Sequence, residues 1–220
     1  MHIEPGYVAP VKVALANAGA LTVFAWAAGQ QFRAILKAPW MLLKTVAAAL
    51  FFTLFMEIYF MPVGPSELHF VGAMAMYLTL GFLPTVAGFA IGLLFQGLVF
   101  NPQDLVHLGV NSLSLMLPLI AVHYAAGKRV LDGGTRVNWA QIVKLDAMYY
   151  TGVTAMVGFW LMIGDVATPL SAWFAFASSY LAIVALEPLV TIGAVKGLRA
   201  LGGNPLVANL FVVNRLRMAA

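Results

Sequence analysis

Long apolar runs, separated by short polar or helix-breaking clusters, dominate the hydrophobic pattern of this chain. A membrane-spanning helix needs about 20 predominantly apolar residues. The breaks between the runs are clusters of Gly, Pro, Asn and Asp, which interrupt helices for backbone reasons. The pattern therefore predicts an all-α integral membrane protein with about seven transmembrane helices in one bundle. The predicted segments lie near residues 8–29, 38–62, 68–82, 84–101, 105–127, 137–164 and 168–199.

Composition supports the same class of protein. Hydrophobic residues make up 62% of the chain, charged residues only 9%, and the mean hydropathy is +0.92. A soluble domain carries about 25% charged residues, so the expected surroundings are a lipid bilayer. A length of 220 residues suits one domain, 1–220. The basic residues form no tract, which argues against nucleic acid as a partner. The absence of cysteine excludes disulfides and thiolate metal sites.

The distribution of Lys and Arg predicts the orientation. With the N-terminus outside, every basic residue except Lys12 falls at a cytoplasmic end, as the positive-inside rule requires. The C-terminus is then cytoplasmic, and residues 203–220 form a cytoplasmic tail. Four carboxylates fall on the outer side, where they would concentrate cations. They are Glu4, Glu67, Asp104 and Asp165.

The first two residues, Met1 and His2, carry candidate metal chemistry. The Met1 amine, the His2 amide nitrogen and the His2 imidazole can close two fused chelate rings, giving three nitrogens in one plane. Square-planar nitrogen sites suit Ni(II) and Cu(II), with Co(II) as a neighbour. The start lacks the basic region of a signal peptide, so we expect residues 1–7 to remain as a metal-chelating N-terminal segment.

A fourth ligand is predicted at His69. The topology places the loop at 62–69 on the same outer face as the N-terminus, and imidazole is the commonest side-chain ligand for such metals. The alternative is that His69 is a residue at a helix N-terminus, bonded to a loop carbonyl.

Further polar residues are candidates for supporting the metal site. Ser66 and Glu67 are close enough in sequence to stabilise the loop, since metal-bound imidazoles need an outer partner. Asn111 either holds the N-terminal segment or pairs two helices. Weaker candidates are His107 as a ligand, Glu57 as a vestibule or structural carboxylate, and Gln96 as a helix-pairing amide.

Other features indicate packing. Gly88 and Gly92 form a G-x-x-x-G step that permits close helix approach and favours internal packing. Glu187 precedes Pro188 and is expected to form a polar pair at a kink in the inner half of the membrane, far from the metal site. One side of the first segment carries small residues, namely Ala14, Ala18 and Ala25.

The chain resembles the CbiM/NikM family, the substrate-binding membrane components (S-components) of cobalt and nickel energy-coupling-factor (ECF) transporters. The resemblance covers roughly residues 1–120. It implies that the metal is held by the Met1 amine, by the His2 amide and imidazole nitrogens, and by His69. The similar stretches are Met-His-Ile-Glu-Pro-Gly-Tyr at 1–7, the loop at 64–69, Leu-Leu-Phe-Gln at 93–96 and Leu-Gly-Val-Asn at 108–111.

The resemblance also implies partners and a location. It predicts an S-component of an ABC transporter in the bacterial plasma (inner) membrane, working with a transmembrane T-component, paired ATPases and a small accessory membrane subunit. Co(II) or Ni(II) is the bound substrate, and no cofactor is expected. In this class a small-residue helix face commonly meets the T-component. The chain departs from the family at 65–71 and 101–104, where Ser-Cys-Ser-His-Pro-Thr-Gly and Ala-His-Gly-Gly are frequent.

Two alternatives stay open beside this hypothesis. One is a metal-dependent intramembrane enzyme, although the chain has no H-E-x-x-H motif, so we expect no enzyme activity. The other is an S-component or channel for a substrate that is not a metal. The chain also lacks a phosphate-binding G-x-x-x-x-G-K-[ST] motif, so ATP must be hydrolysed by other subunits.

Overall fold

A computed structural model describes residues 3–218 of the chain, which are mostly helical. A 3-10 turn, Pro102–His107, leads into α5, and a π-helical turn, His123–Gly127, joins α5 to α6. The helices are α1 (Pro10–Lys37), α2 (Trp40–Ile58), α3 (Ala73–Leu80), α4 (Phe82–Val99), α5 (Leu108–Val122), α6 (Lys128–Leu131), α7 (Trp139–Met162), α8 (Leu170–Ala200) and α9 (Pro205–Leu210).

Five helical stretches in the described part are long and apolar enough to cross a membrane. The prediction of a mostly helical chain with several spanning helices is thus confirmed. Helix α3 has eight residues and extends about 12 Å at 1.5 Å per residue, too short to span alone. The number of about seven spans and the orientation remain predictions. The five stretches are Pro10–Lys37, Trp40–Ile58, Phe82–Val99, Pro102–Leu131 and Leu170–Ala200.

The expectation of an all-α chain is incomplete, because the segment after α2 forms a β-hairpin. Strands β1 (Phe60–Val63) and β2 (Ser66–His69) pair antiparallel. The predicted helix ends at residues 62 and 68 are therefore wrong. Gly64 begins the two-residue turn with φ of 61°, a conformation that favours glycine. We call the end of the bundle that carries this hairpin the hairpin end.

Helix α3 is the centre of the bundle, and all eight of its residues are buried. Gly81, with φ of 98°, lets α4 begin directly after α3. The start of α3 is held by Glu187 of α8, whose Oε1 accepts a hydrogen bond from the Met74 amide at 2.9 Å. The Tyr150 hydroxyl of α7 donates to the other carboxylate oxygen. Asp146 of α7 is an immediate neighbour of Glu187.

These contacts correct the expectation for Glu187. Its hydrogen bonds run to α3 and α7, so it joins three helices, and Pro188 beside it lies inside the continuous helix α8. It is also not remote from the hairpin, because Met74 follows His69 by five residues.

Helices α2 and α4 pack closely at the predicted G-x-x-x-G step, so the internal packing expected for Gly88 and Gly92 is confirmed. A Cβ added at Gly88 would lie 2.6 Å from the Ala48 Cβ, and one at Gly92 would lie 3.0 Å from the Ala49 carbonyl oxygen. The Thr53 hydroxyl donates to the Gly92 carbonyl at 3.1 Å. The two backbones approach because neither glycine carries a side chain.

The C-terminal segment after α8 folds back under the bundle, opposite to the hairpin end. The Val212 amide donates to the Thr79 carbonyl of α3 at 2.7 Å. Val213 and Leu216 are buried, and Met218 bridges to Val137 ahead of α7. Residues 211–218 of the predicted tail are therefore packed against the bundle, whereas α9 has no buried residue, and the cytoplasmic location of the tail remains a prediction.

We predict that Glu187→Leu destabilises the protein by about 1–3 kcal/mol, because the Met74 amide and the Tyr150 hydroxyl lose their buried acceptor. Glu187→Gln keeps one acceptor oxygen and should lose clearly less. Thermal unfolding of the purified protein in detergent measures both. Equal unfolding midpoints for the Leu and Gln variants would show that the hydrogen bonds do not anchor α3.

We also predict that Gly88→Ala lowers the stability by about 1–3 kcal/mol, because the new methyl group must push α2 and α4 apart. Gly193→Ala is the matched control, since this glycine of α8 has no neighbouring atom within 4 Å of an added Cβ. Unfolding by heat or denaturant should separate the two variants, and a neutral Gly88→Ala change would contradict the close packing.

Candidate metal site

The N-terminal segment docks on the hairpin as a short additional strand. Ile3 pairs antiparallel with Ser66, and the Glu4 amide donates to the Pro65 carbonyl at 3.1 Å. The Ile3 side chain is only 2% exposed and belongs to the core. Backbone pairing and apolar burial together fix this end of the described chain.

Helix α5 and the turn before it hold Ile3 from another side. The Ile3 amide lies 3.3 Å from the Asn111 Oδ1, which accepts its hydrogen, and His107 Nδ1 donates to the Ile3 carbonyl at 2.9 Å. Both side chains are buried. Of the two roles left open for Asn111, contact with the N-terminal segment is the one present. His107, a weaker ligand candidate by sequence, contacts the same segment.

The other end of the segment is tied to the loop between α7 and α8. The Asp165 amide donates to the Tyr7 carbonyl at 2.9 Å. The Lys12 ammonium donates to Asp165 Oδ1 at 2.8 Å and to the Ile163 carbonyl at 2.6 Å. Val8 is buried between these contacts and the start of α1. The segment is therefore held at both ends.

His69, the last residue of β2, has a buried and oriented imidazole. Its Nδ1 lies 3.3 Å from the Met56 carbonyl of α2, and its Nε2 lies 3.1 Å from Glu67 Oε2. The Phe60 ring stacks on it at 6.2 Å between centroids. A carbonyl can only accept, so Nδ1 carries the hydrogen of the Met56 contact, while Nε2 faces the Glu67 carboxylate.

The structure also differs from the alternative for His69, a residue at a helix N-terminus bonded to a loop carbonyl. The residue lies on a strand, not at a helix N-terminus, and the carbonyl it contacts belongs to α2 and not to a loop. In metal sites a ligating histidine usually donates its other ring N–H to a carbonyl or carboxylate, as His69 Nδ1 does to Met56.

The remaining predicted residues divide into two groups. Ser66 and Glu67 lie in the hairpin beside Ile3 and His69, and the buried Ser66 hydroxyl has no hydrogen-bond partner among the described residues. Glu57 is half-buried next to Met56 but makes no hydrogen bond to this group within residues 3–218. Gln96 bonds instead to Asp104 Oδ2 at 3.3 Å, at the end of α4.

Met1 and His2 lie outside the described residues. Within the described part, no cluster of three or more His, Cys, Asp and Glu side chains could hold a metal by itself. Sequence reasoning did not identify two groups that contact the His69 ring, the Met56 carbonyl and the Phe60 ring. A backbone carbonyl has no residue signature, and Phe60 reads as one more apolar residue of a spanning segment.

The comparisons with known proteins decide the family. The profile of CbiM, described as the cobalt uptake substrate-specific transmembrane region, matches residues 2–203. The chain belongs to the CbiM family. Comparison of this CbiM-family chain with curated proteins gave no match.

Solved structures agree with the CbiM fold. The crystal structure of a transition metal transporter matches with a TM-score of 0.69 and 22% identity, over 94% of this chain and 96% of that one. A truncated transition metal transporter matches with a TM-score of 0.64 and 21% identity, over 90% and 99% of the two chains. At these identities the likeness establishes the fold. The description of the CbiM family is that of a membrane transport protein.

Proposed function

We propose that this chain is the substrate-capture S-component of an ECF-type ABC transporter that imports Co(II) or Ni(II). Membership of a cobalt uptake family supports metal transport. The observation that carries the proposal is the docking of Ile3 on the hairpin that ends in His69. It brings the N-terminal segment and the one imidazole ligand predicted outside that segment onto the same small structure.

The direction of the pairing favours the predicted ligand set. Because Ile3 and Ser66 pair antiparallel, the amino side of Ile3 faces along β2 toward Leu68 and His69. We propose that the Met1 amine, the His2 amide nitrogen, the His2 imidazole and His69 Nε2 form a square-planar site. Four nitrogens in one plane suit Ni(II) and low-spin Co(II), while deprotonation of a backbone amide selects against Mg(II) and Ca(II).

Glu67 gives His69 a proton-dependent partner. With both ring nitrogens protonated, His69 donates to the Met56 carbonyl and to the Glu67 carboxylate. A metal takes the place of the proton on Nε2, and the nearby carboxylate then balances part of the cation's charge. Metal capture should therefore release protons from His69 as well as from the Met1 amine and the His2 amide.

The proposal places the hairpin end outside the bacterial plasma membrane and the C-terminus inside, with α3 and α7 completing seven membrane segments. The Lys and Arg distribution supports this orientation. Because this chain has no phosphate-binding loop motif, import driven by ATP requires paired ATPases. A T-component and a small accessory membrane subunit complete the proposed transporter.

The T-component is proposed to dock on the small-residue face of α1. Ala16, Ala20 and Ala27 are buried in the bundle, whereas the predicted small-residue side is exposed. Small exposed residues let another helix approach closely in lipid. This exposed side consists of Ala14, Ala18 and Ala25.

Adding one residue before Met1 tests the metal site. The extension converts the Met1 amine into an amide and moves the free amine out of the chelate, so Co(II) and Ni(II) binding should fall by at least about 100-fold. Isothermal titration of the purified protein in detergent measures the affinity. Titration in buffers of different ionisation enthalpy should give about two or more protons released per metal. Unchanged binding by the extended protein would refute the chelate.

His69→Gln is the companion variant, because glutamine can still donate to the Met56 carbonyl but is a poor ligand for these metals. We expect it to lose metal binding while keeping the unfolding midpoint of the metal-free protein. His123→Gln is the control, since His123 stacks on Phe82 at the opposite end of the bundle. Tight binding by His69→Gln would remove His69 from the ligand set.

Ala18→Leu tests the proposed partner surface. The larger side chain should block close helix approach and reduce co-purification with the T-component several-fold, while Co(II) binding by the isolated chain stays unchanged. Ala182→Leu, on the exposed face of α8, is the matched control. Equal recovery of the complex from both variants would exclude this face of α1.

A further inference from the structure

A second cavity lies at the end of the bundle opposite to the hairpin. Its volume is about 450 Å³, and it opens between the start of α2, the turn between α3 and α4, and the C-terminal segment. Trp40 and Lys44 contribute from α2, Gly81 from the junction of α3 and α4, Leu83 from α4, and Asn214 and Arg215 from the C-terminal segment. The cavity is separate from the metal site and has no part in the function proposed above.

The cavity contains a mostly buried lysine, Lys44, that has no counter-ion among residues 3–218. Lys44 is only 7% exposed, and it forms no hydrogen bond or ion pair with any residue in 3–218. The guanidinium of Arg215 lies close enough to repel it. Burying one cation beside a second is costly unless an anion lies between them.

The protein itself supplies no such anion among the described lining residues. Asp132 is the one carboxylate of the lining, and it forms an exposed ion pair with Lys128 at 2.5 Å. Lys128 thus already neutralises Asp132. The cavity therefore has a net positive interior whose two cations, Lys44 and Arg215, face an unfilled space.

The surroundings of the cavity favour a phospholipid over a soluble anion. Leu42, Leu43 and Val46 flank Lys44 on α2 and are 45–57% exposed, so an apolar surface continues from the cavity along the helix. An acyl chain can lie on that surface while its phosphate reaches Lys44. Basic pockets between membrane helices on the cytoplasmic side bind anionic lipid headgroups for this reason.

We propose that the cavity binds the phosphate headgroup of an anionic phospholipid through Lys44 and Arg215. The lipid belongs to the inner leaflet, an assignment that uses the orientation proposed above. Arg215 lies three residues after Val212, which bonds to Thr79 of α3. The bound headgroup therefore also fastens the C-terminal segment to the bundle.

Thermal unfolding of delipidated protein in a neutral detergent tests the proposal. Phosphatidylglycerol should raise the unfolding midpoint by several degrees, whereas phosphatidylcholine should not. Lys44→Gln and Arg215→Gln should each weaken phosphatidylglycerol binding about fivefold, the contribution of one basic residue near an anionic membrane surface. Lys196→Gln, an exposed basic residue of α8, is the matched control and should respond like the unchanged protein.

Each contrary outcome has a defined meaning. A full response to phosphatidylglycerol in both Lys44→Gln and Arg215→Gln would overturn the site. An equal rise with inorganic phosphate would show a site for a free anion and would overturn the lipid assignment. Arg215 is exposed, so its replacement keeps the test valid if Lys44→Gln fails to fold. Co(II) titration of the same variants should be unchanged, which separates this proposal from the metal site.

Discussion

The hold on Ile3 is the interaction on which the proposed metal site depends. Chain termini are usually mobile. If metal ligands lie on a mobile terminus, binding the metal must also order the terminus, and that loss of entropy lowers the affinity for the metal. Here the Ile3 amide bonds to Asn111, its carbonyl bonds to His107, and its side chain is buried. The Ile3 pairing with Ser66 adds the hairpin to the same contact set. The contacts of Ile3 therefore fix the residue that follows the proposed chelating dipeptide.

The hairpin can hold Ile3 in place only because the two ends of the hairpin are themselves fixed. In a membrane no water replaces a missing backbone partner. The first amides of α3 have no acceptor within their own helix, so they need one from elsewhere in the protein. Glu187 supplies it to Met74, and Tyr150 binds the same carboxylate. On the preceding side, the Met56 carbonyl of α2 holds the His69 ring. A buried carboxylate, costly in lipid, thus stabilises the helix that follows the strand carrying His69.

The sequence was sufficient to predict features that depend on long apolar segments or on the chemistry of individual side chains. The apolar runs located the long helices. The predicted topology indicated His69, and a polar position on an apolar helix indicated Asn111. Asn111 contacts Ile3, and His69 lies on the strand with which Ile3 pairs. The hairpin was missed because Phe60 to Val63 continue the apolar run of α2 and carry no alternation that distinguishes a strand from a helix end. The Met56 carbonyl was missed because a main-chain acceptor is the same in every residue. The partners of Glu187 were missed because contacts between distant helices are set by packing.

Helix α3 connects the two ends of the molecule. Met74, in its first turn and five residues after His69, donates its amide hydrogen to Glu187. Thr79, in its last turn, accepts a hydrogen bond from the Val212 amide at its carbonyl. With eight residues, all buried, it cannot shift without disturbing its neighbours, because close-packed interiors leave few voids. A metal that tightens the hairpin and an anion that fastens the C-terminal segment would act on opposite ends of one rigid element. A short buried helix therefore provides a physical link between the hairpin end, where the metal site is proposed, and the C-terminal segment at the opposite end.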